Sequence, residues 1–297
     1  MGEIAAAITS VFWTLSSLSF TEGGKKVGSL VVNRVRLVFA VILLMAAHLV
    51  ILNEAIPLNA GWDRWFWLGL SGIIGLALGD AFLFQAFVMI GARLSMLIMA
   101  SVPVISALSA WLFLGEMLAW YEIAGILLTV SGIAVVVLEK GNHNPKINNP
   151  RQYLLGILCA IGGAIGQALG MVLAKKGLYG EFNALSGVLM RMITAMITIW
   201  IITIVFRQAA KTIQILQKTP SAILWILLGA IAGPFLGVWA SLIAIQATHV
   251  GIASTLMALT PIFMLPISKW VYKESVSWRA VIGTLTAIAG VGLLFIL

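Results

Sequence analysis

Short polar connections separate long apolar runs along the whole chain. The runs are about twenty residues long, the length an α-helix needs to cross a lipid bilayer. Backbone N–H and C=O groups in hydrocarbon must be satisfied within the chain, and the alternating pattern of barrel strands is absent, so the runs are predicted to be helices. The pattern predicts ten spans, at about residues 3–21, 30–52, 65–90, 93–114, 118–138, 152–174, 184–206, 221–247, 250–272 and 278–297.

The clearest break in this pattern lies at residues 139–151, which read EKGNHNPKINNPR. We therefore predict a first five-helix repeat over 1–138, a polar linker over 139–151 and a second five-helix repeat over 152–297. Because five is odd, a copy that follows the first unit crosses the bilayer in the opposite direction. The predicted fold class is an all-α integral membrane protein built as two inverted repeats.

The second half of the chain repeats special residues of the first half at a constant spacing of 158 residues. The matched pairs are Pro103 with Pro261, Glu116 with Glu274, Trp120 with Trp278, Gly125 with Gly283, Gly132 with Gly290, Gly75 with Gly233 and Gly79 with Gly237. Arg36 matches Arg191 at a spacing of 155 residues, which indicates a shorter connection between the first two helices of the copy. Long-period self-similarity in a membrane protein is typical of a transporter.

Composition excludes a soluble globular protein. Of the 297 residues 61% are apolar and 9% are charged, and the mean hydropathy is +1.09, whereas a soluble domain is about a quarter charged. The net charge of +8 comes from Lys and Arg that flank the spans. This placement favours membrane orientation over nucleic-acid binding.

The distribution of Lys and Arg predicts how the chain is oriented in a cell membrane, the inner or plasma membrane. Most of the 18 basic residues fall in the connections after the odd-numbered spans. The positive-inside rule puts that side in the cytoplasm, so both termini are predicted to be extracytoplasmic. The first apolar run lacks a basic leader and a small-residue cleavage site, and we interpret it as a retained span.

Asp80 is the most informative single residue, because it lies near the middle of the third span. A carboxylate at that depth is costly unless it faces a wet cavity or a partner. Its predicted role is proton coupling or binding of a cationic solute, and the alternative is a hydrogen bond to a neighbouring helix. The repeat-equivalent residue is Val238.

Other polar and aromatic side chains within the spans are weaker candidates for lining a solute cavity. They are Trp13, Gln85, Gln167, Trp239 and Gln246. Arg36 and Arg191 lie one turn into the second and seventh spans. We predict that they snorkel to the lipid headgroups, with gating or attraction of anionic solutes as alternatives.

Three pairs of repeated residues have predicted roles in the architecture. Pro103 and Pro261 lie halfway along their predicted spans, where each is expected to kink its helix and act as a hinge. Gly79 and Gly237 are expected to let helices pack closely. Glu116 and Glu274 precede the next helix and are expected to cap backbone N–H groups at a helix N-terminus.

The pattern P-x12-E-x3-W-x4-G-x6-G occurs once in each half. The segments that lead into it read GDAFLFQAFVMIGARLSMLIMASVPVISALSAWLFLGE and GVWASLIAIQATHVGIASTLMALTPIFMLPISKWVYKE. Both resemble the third-fourth and eighth-ninth helices of the EamA-type family of the drug/metabolite transporter superfamily. The usual Gly-Glu is kept at Gly115-Glu116 but is Lys273-Glu274 in the second half.

This resemblance implies ten helices, a central cavity between the halves and secondary transport of small metabolites, often export. The small multidrug-resistance relatives depend on a glutamate within their first helix. Here the middle of that helix contains Trp13, Thr14, Ser16 and Ser17 and no acid, so their proton mechanism cannot be transferred.

The favoured function is a secondary active transporter of amino acids, amines or aromatic compounds that works by alternating access with proton coupling or exchange. A lipid flippase or a non-catalytic scaffold is the alternative. An intramembrane enzyme is least favoured, since HExxH, GxSxG and P-loop motifs are absent. No metal site or cofactor is predicted; the partners are a small-molecule solute, the bilayer and protons as a candidate coupling ion, in a monomer or homodimer.

Overall fold

The structure, a computed structural model, describes residues 1–99, 101–138, 150–260, 262–263 and 278–294. Most of these residues are helical, and no strand occurs among them. The helices are α1 (Gly2–Val27), α2 (Ser29–Leu52), α3 (Trp62–Ser71, continued by Gly72–Gly79 and Asp80–Met99), α4 (Val102–Leu114), α5 (Trp120–Leu138), α6 (Pro150–Gly177), α7 (Ala184–Val205), α8 (Ala209–Lys218), α9 (Ser221–Ala230, continued by Ile231–Gly237 and Val238–Ala247), α10 (Val250–Met257) and α11 (Trp278–Leu294).

The described helices make this a multi-pass membrane protein. Six stretches are long and apolar enough to cross a bilayer: Gly2–Val27, Ser29–Leu52, Trp62–Ala86, Arg151–Gly177, Ala184–Val205 and Ser221–Ala247. Shorter apolar helices cover Val102–Leu114, Trp120–Val135 and Val281–Leu293. The predicted ninth span, 250–272, extends beyond the described residues, as does most of the predicted linker.

Two predicted connections look different in the structure. The boundary expected between residues 90 and 93 is wrong, because α3 continues to Met99 and α4 begins only at Val102. Pro103 has no N–H to donate to the carbonyl four residues earlier, at Met99, which favours an end there. The basic connection before the predicted span 221–247 contains a helix of its own, α8, where Thr212 is buried and accepts a hydrogen bond from Arg34 at 2.8 Å.

Pairs of helices from opposite halves pack along glycine-lined faces. In the α3–α6 contact, a Cβ on Gly166 would lie 2.8 Å from the Cα of Gly79. In the α1–α9 contact, a Cβ on Gly237 would lie 2.8 Å from Trp13 Cδ1. A larger residue would push these helices apart, which is why small residues are enriched where membrane helices meet.

Helix α7 lies at the centre of the molecule. Residues 184–192 are all buried, and Leu185, Leu189, Met190 and Met192 have no exposed surface. The helix packs against α2, α3 and α9. Arg191 is therefore held in the middle of the helix bundle.

Candidate functional site

Two π-helical segments shape the middle of the bundle. Gly72–Gly79 widens α3 and Ile231–Gly237 widens α9, and both segments end at repeat-equivalent glycines. Glycines in both segments, and Pro234 in the second, fit a departure from the α-helical hydrogen-bond pattern. Such wide turns are frequent at functional sites. The residue directly after each segment is Asp80 in α3 and Val238 in α9.

Asp80 is paired with Arg36 of α2. The Arg36 Nη2 atom donates to Asp80 Oδ2, and the two side chains are 8% and 13% exposed for Arg36 and Asp80 respectively. Arg36 Nε also donates to Asn33 Oδ1 at 2.9 Å. The partner helix that the sequence left open for Asp80 is therefore α2, and a cationic solute would have to displace a guanidinium to reach this carboxylate.

The surroundings of Arg36 are partly aromatic. Its Cζ atom lies 5.8 Å from the centre of the Phe20 ring and 5.1 Å from that of Phe84. Arg36 Nη2 also approaches the Leu76 carbonyl of the π-helical segment at 3.5 Å. Aromatic faces and a carbonyl add to the stabilisation that the carboxylate gives to a buried cation.

Arg191, the repeat-equivalent of Arg36, is 4% exposed. It lies against α3, where a Cβ on Gly75 would be 3.6 Å from Arg191 Nη2. Within the part of the chain that the structure describes, its Nε is buried and has no hydrogen-bond partner. The prediction that Arg36 and Arg191 snorkel to the headgroups is wrong: packing against α3 keeps both guanidinium groups inside.

The weaker candidates occupy different places. Trp13 packs against Gly237 on the α1–α9 face, while Gln85 and Gln167 are half-buried on α3 and α6. Gln246 donates to the Phe182 carbonyl at 2.9 Å, so it bridges α9 to the connection before α7. Trp239 and Gln246 share a cleft of about 380 Å³ whose lining is completed by Glu181, Phe182, Asn183, Ala184 and Ile243.

Glu116 joins the two halves of the chain at the place where α4 and α6 end and α10 begins. Its carboxylate accepts a hydrogen bond from the Val250 N–H at 2.9 Å, at the start of α10, and pairs with Lys175 of α6 at 2.5 Å. Lys175 also donates to the Thr248 carbonyl at 2.6 Å. Glu116 thus caps a helix of the other half rather than the next helix in sequence, where Glu122 accepts from the Ala119 N–H at 2.6 Å.

The predicted roles of the repeated proline and glutamate can be examined only in the first half of the chain. Pro261 and Glu274 lie outside the described residues. Pro103 is in the first turn of α4, which begins at Val102, so it does not kink the middle of its helix as expected. The sequence also missed Lys175 as a site residue, because nothing local distinguishes it from the neighbouring Lys176.

Comparison with protein families identifies the fold and the broad role. The model described as "EamA-like transporter family" matches twice, over residues 1–138 and 154–296. The chain belongs to the EamA-like transporter family. The expected resemblance is therefore confirmed over both halves, and this EamA-like protein is a multi-pass membrane protein of a transporter family.

Solved structures support the same fold. A structure titled "Crystal structure of protein" superimposes with a TM-score of 0.79, covers 99% of this chain and 96% of its own, and is 16% identical in sequence. At that identity the similarity concerns the fold alone. No curated protein matches the sequence significantly.

Proposed function

We propose that this EamA-like protein is a secondary active transporter that moves a small metabolite across the cell membrane by alternating access. The observation that carries the proposal is that Asp80 on α3, and Arg36 and Arg191 packed against α3, are largely withdrawn from solvent and come from both halves of the chain. Charges at this depth are costly and usually belong to a transport path. The solute would cross where the halves meet.

The proposed architecture is an inverted repeat, and the contact of α5 with α11 supports it. A Cβ on Gly132 would lie 2.9 Å from the Ala287 Cα, and a Cβ on Gly290 would lie 2.5 Å from the Thr129 N. Adding 158 to residues of α5 and subtracting it from residues of α11 exchanges these two contacts. Two equivalent helices that pair in this way run antiparallel, as equivalent helices of inverted units do.

A similar exchange relates the α3–α6 and α1–α9 contacts, with a spacing of 158 residues from Ser71 to Gly229 and of 154 residues from Ser16 to Gly170. Ser71 Oγ donates to the Gly170 carbonyl at 2.5 Å, and Ser16 Oγ donates to the Gly229 carbonyl at 3.0 Å. Each contact joins the first helix of one half to the third helix of the other. Rocking of one half against the other would therefore slide both faces together.

Driving force is proposed to come from a proton gradient or from solute exchange, with Asp80 as the candidate proton carrier. Pro103, in the first turn of α4, is the proposed hinge between α3 and α4. Export of amino acids, amines or aromatic compounds is the direction and solute range that the family resemblance favours.

The proposed transport function can be tested before the solute is known. Intracellular and extracellular metabolites are compared in cells with and without expression, and solutes that change are then measured as radiolabelled uptake into liposomes that contain the purified protein. We expect accumulation that depends on a pH gradient or on an internal counter-solute. Equal fluxes in protein-free liposomes for every such solute would contradict transport.

A further inference from the structure

The second half of the chain lacks a carboxylate that the first half has. In the first half Arg36 pairs with Asp80, and the repeat-equivalents of these residues are Arg191 and Val238. Both arginines are buried, at 6% and 4% exposure. Between the halves, two guanidinium cations therefore face one acid among the described residues, and that acid is already bound to Arg36.

Arg191 retains a hydrogen-bond donor that no described residue accepts from, as a site for an anion requires. Its Nε is buried without a hydrogen-bond partner in the described part of the chain, whereas Arg36 uses its Nε on Asn33. A buried polar group is normally paired, and a guanidinium binds a carboxylate with two parallel hydrogen bonds. The facing position on α3 is Gly75, so no side chain separates the Arg191 Nη2 from that backbone.

We propose that Arg191 binds the carboxylate of the transported solute, which takes the place of the acid missing at Val238. This inference rests on the proposed transport function and narrows it to solutes that carry one carboxylate. Solute binding then makes the charge of the site neutral: Arg36 with Asp80, and Arg191 with the solute.

Matched ligands of equal size test the proposal. The full-length protein in nanodiscs, in a sulfate buffer free of chloride, is melted with 3-phenylpropionate, 3-phenylpropanamide or phenethylamine, and with isovalerate or isovaleramide. We expect the acids to raise the melting temperature and the amides and the amine to have no effect. A separate chloride titration distinguishes a solute carboxylate from an inorganic anion: an equal stabilisation by chloride overturns the carboxylate assignment.

Variants assign the effect to Arg191. Arg191→Gln is expected to weaken apparent acid binding by about tenfold or more, the loss of a charge-assisted hydrogen bond, and Arg191→Lys by less. Lys211→Gln removes an exposed cation from α8 and is expected to bind like the wild type. Equal loss in Lys211→Gln, or no loss in Arg191→Gln, overturns the proposal.

A second variant keeps the test valid if Arg191→Gln does not fold. Val238→Asp supplies the missing acid from the chain itself. We expect it to melt no lower than Val238→Asn and to abolish stabilisation by the acids. A lower melting temperature with undiminished acid binding would contradict the proposal.

Transport assays distinguish a failure of the carboxylate site from a failure of the proposed transport function. If acids bind in an Arg191-dependent way but no flux occurs in liposomes, the carboxylate site is supported and transport is refuted. If the amide or the amine is transported at the rate of the matching acid, transport is supported and the carboxylate site is refuted.

Discussion

Asp80 is stabilised in the membrane by a partner 44 residues earlier in the chain, and this partnership makes it the residue whose substitution should be most informative. Asp80→Asn leaves Arg36 buried without its counter-charge, and breaking a buried pair costs about 3–5 kcal/mol. We expect a lower melting temperature, and loss of accumulation driven by a pH gradient. Both are measured on purified protein, in detergent and in liposomes.

Asp63→Asn is the matched control, since Asp63 is an exposed acid on the same helix and accepts a hydrogen bond from Trp67 at 3.1 Å. The double variant Asp80→Asn with Arg36→Gln removes both charges and should regain stability without regaining transport. Wild-type pH coupling in Asp80→Asn would exclude Asp80 as the proton carrier.

The sequence predicts that Asp80 matters but not what holds it. Depth in an apolar run is visible in one dimension, and it singles out this acid. The pairing with Arg36 depends on how α2 packs against α3, and one turn into a helix an arginine is expected to reach the headgroups. The same limitation hid the difference between Lys175 and Lys176, because only Lys175 meets Glu116 across the halves.

Among the elements, the contacts of Glu116 with Lys175 and with the Val250 N–H join the two halves, and we call this set of contacts the latch. Glu116→Gln keeps a hydrogen-bond acceptor for Val250 but loses the ion pair. We expect the halves to separate at the latch more often, so a cysteine introduced at Thr248 in a Cys159→Ser background should react about two- to tenfold faster with a polar maleimide, the effect of roughly 0.5–1.5 kcal/mol.

Lys176→Gln is the control for the latch, because Lys176 lies over the Trp67 ring at 3.9 Å rather than against Glu116. Its substitution should leave the labelling rate unchanged. Equal acceleration by both variants would mean that general loss of positive charge, and not the latch, determines access.

The glycine-lined contact between α3 and α6 gives a prediction about helix packing. Gly166→Ala places a Cβ 2.8 Å from the Cα of Gly79, where neither backbone can yield without separating α3 from α6. We expect a melting temperature several degrees lower, the effect of about 1–3 kcal/mol for overpacking. Gly292→Ala meets nothing within 4 Å and should melt like the wild type; an equal loss there would contradict the packing argument.

Elements were predictable where their signal was strong and local. Long apolar runs gave α2, α6 and α7 to within three residues, whereas α1 continues to Val27, beyond its predicted end at residue 21. The π-helical segments were not predicted, because their hydrogen-bond shift depends on the helices that cross at the glycines. Helix α8 was missed because its ten residues are amphipathic and too short to resemble a span.

For the whole molecule, the distribution of Lys and Arg gives a prediction of the orientation in the membrane. The positive-inside rule predicts that the C-terminus is extracytoplasmic. A reporter fused after Leu297 that is active only outside the cytoplasm should give signal, and a reporter active only in the cytoplasm should not. Because Glu116 follows the predicted fourth span, the same rule places the latch on the extracytoplasmic side, and the opposite result would place it on the cytoplasmic side.

The division into two related halves could be predicted from the repeated Pro, Glu, Trp and Gly residues, and the family match covers both halves. What the repeat could not reveal is where the copies differ in function. Val238 in place of Asp80 is visible in the sequence, but its consequence for Arg191 depends on the burial of that arginine.

Reversible crosslinking of the latch tests alternating access most directly. In a Cys159→Ser background, Glu116→Cys and Lys175→Cys are joined by a short bis-methanethiosulfonate, and flux of the identified solute is measured before and after reduction. Lys175→Cys with Thr248→Cys joins two residues of the same half as the control. If the halves must move against each other, the link between them stops flux, reduction restores flux and the control link does not stop it. Undiminished flux across linked halves would contradict alternating access.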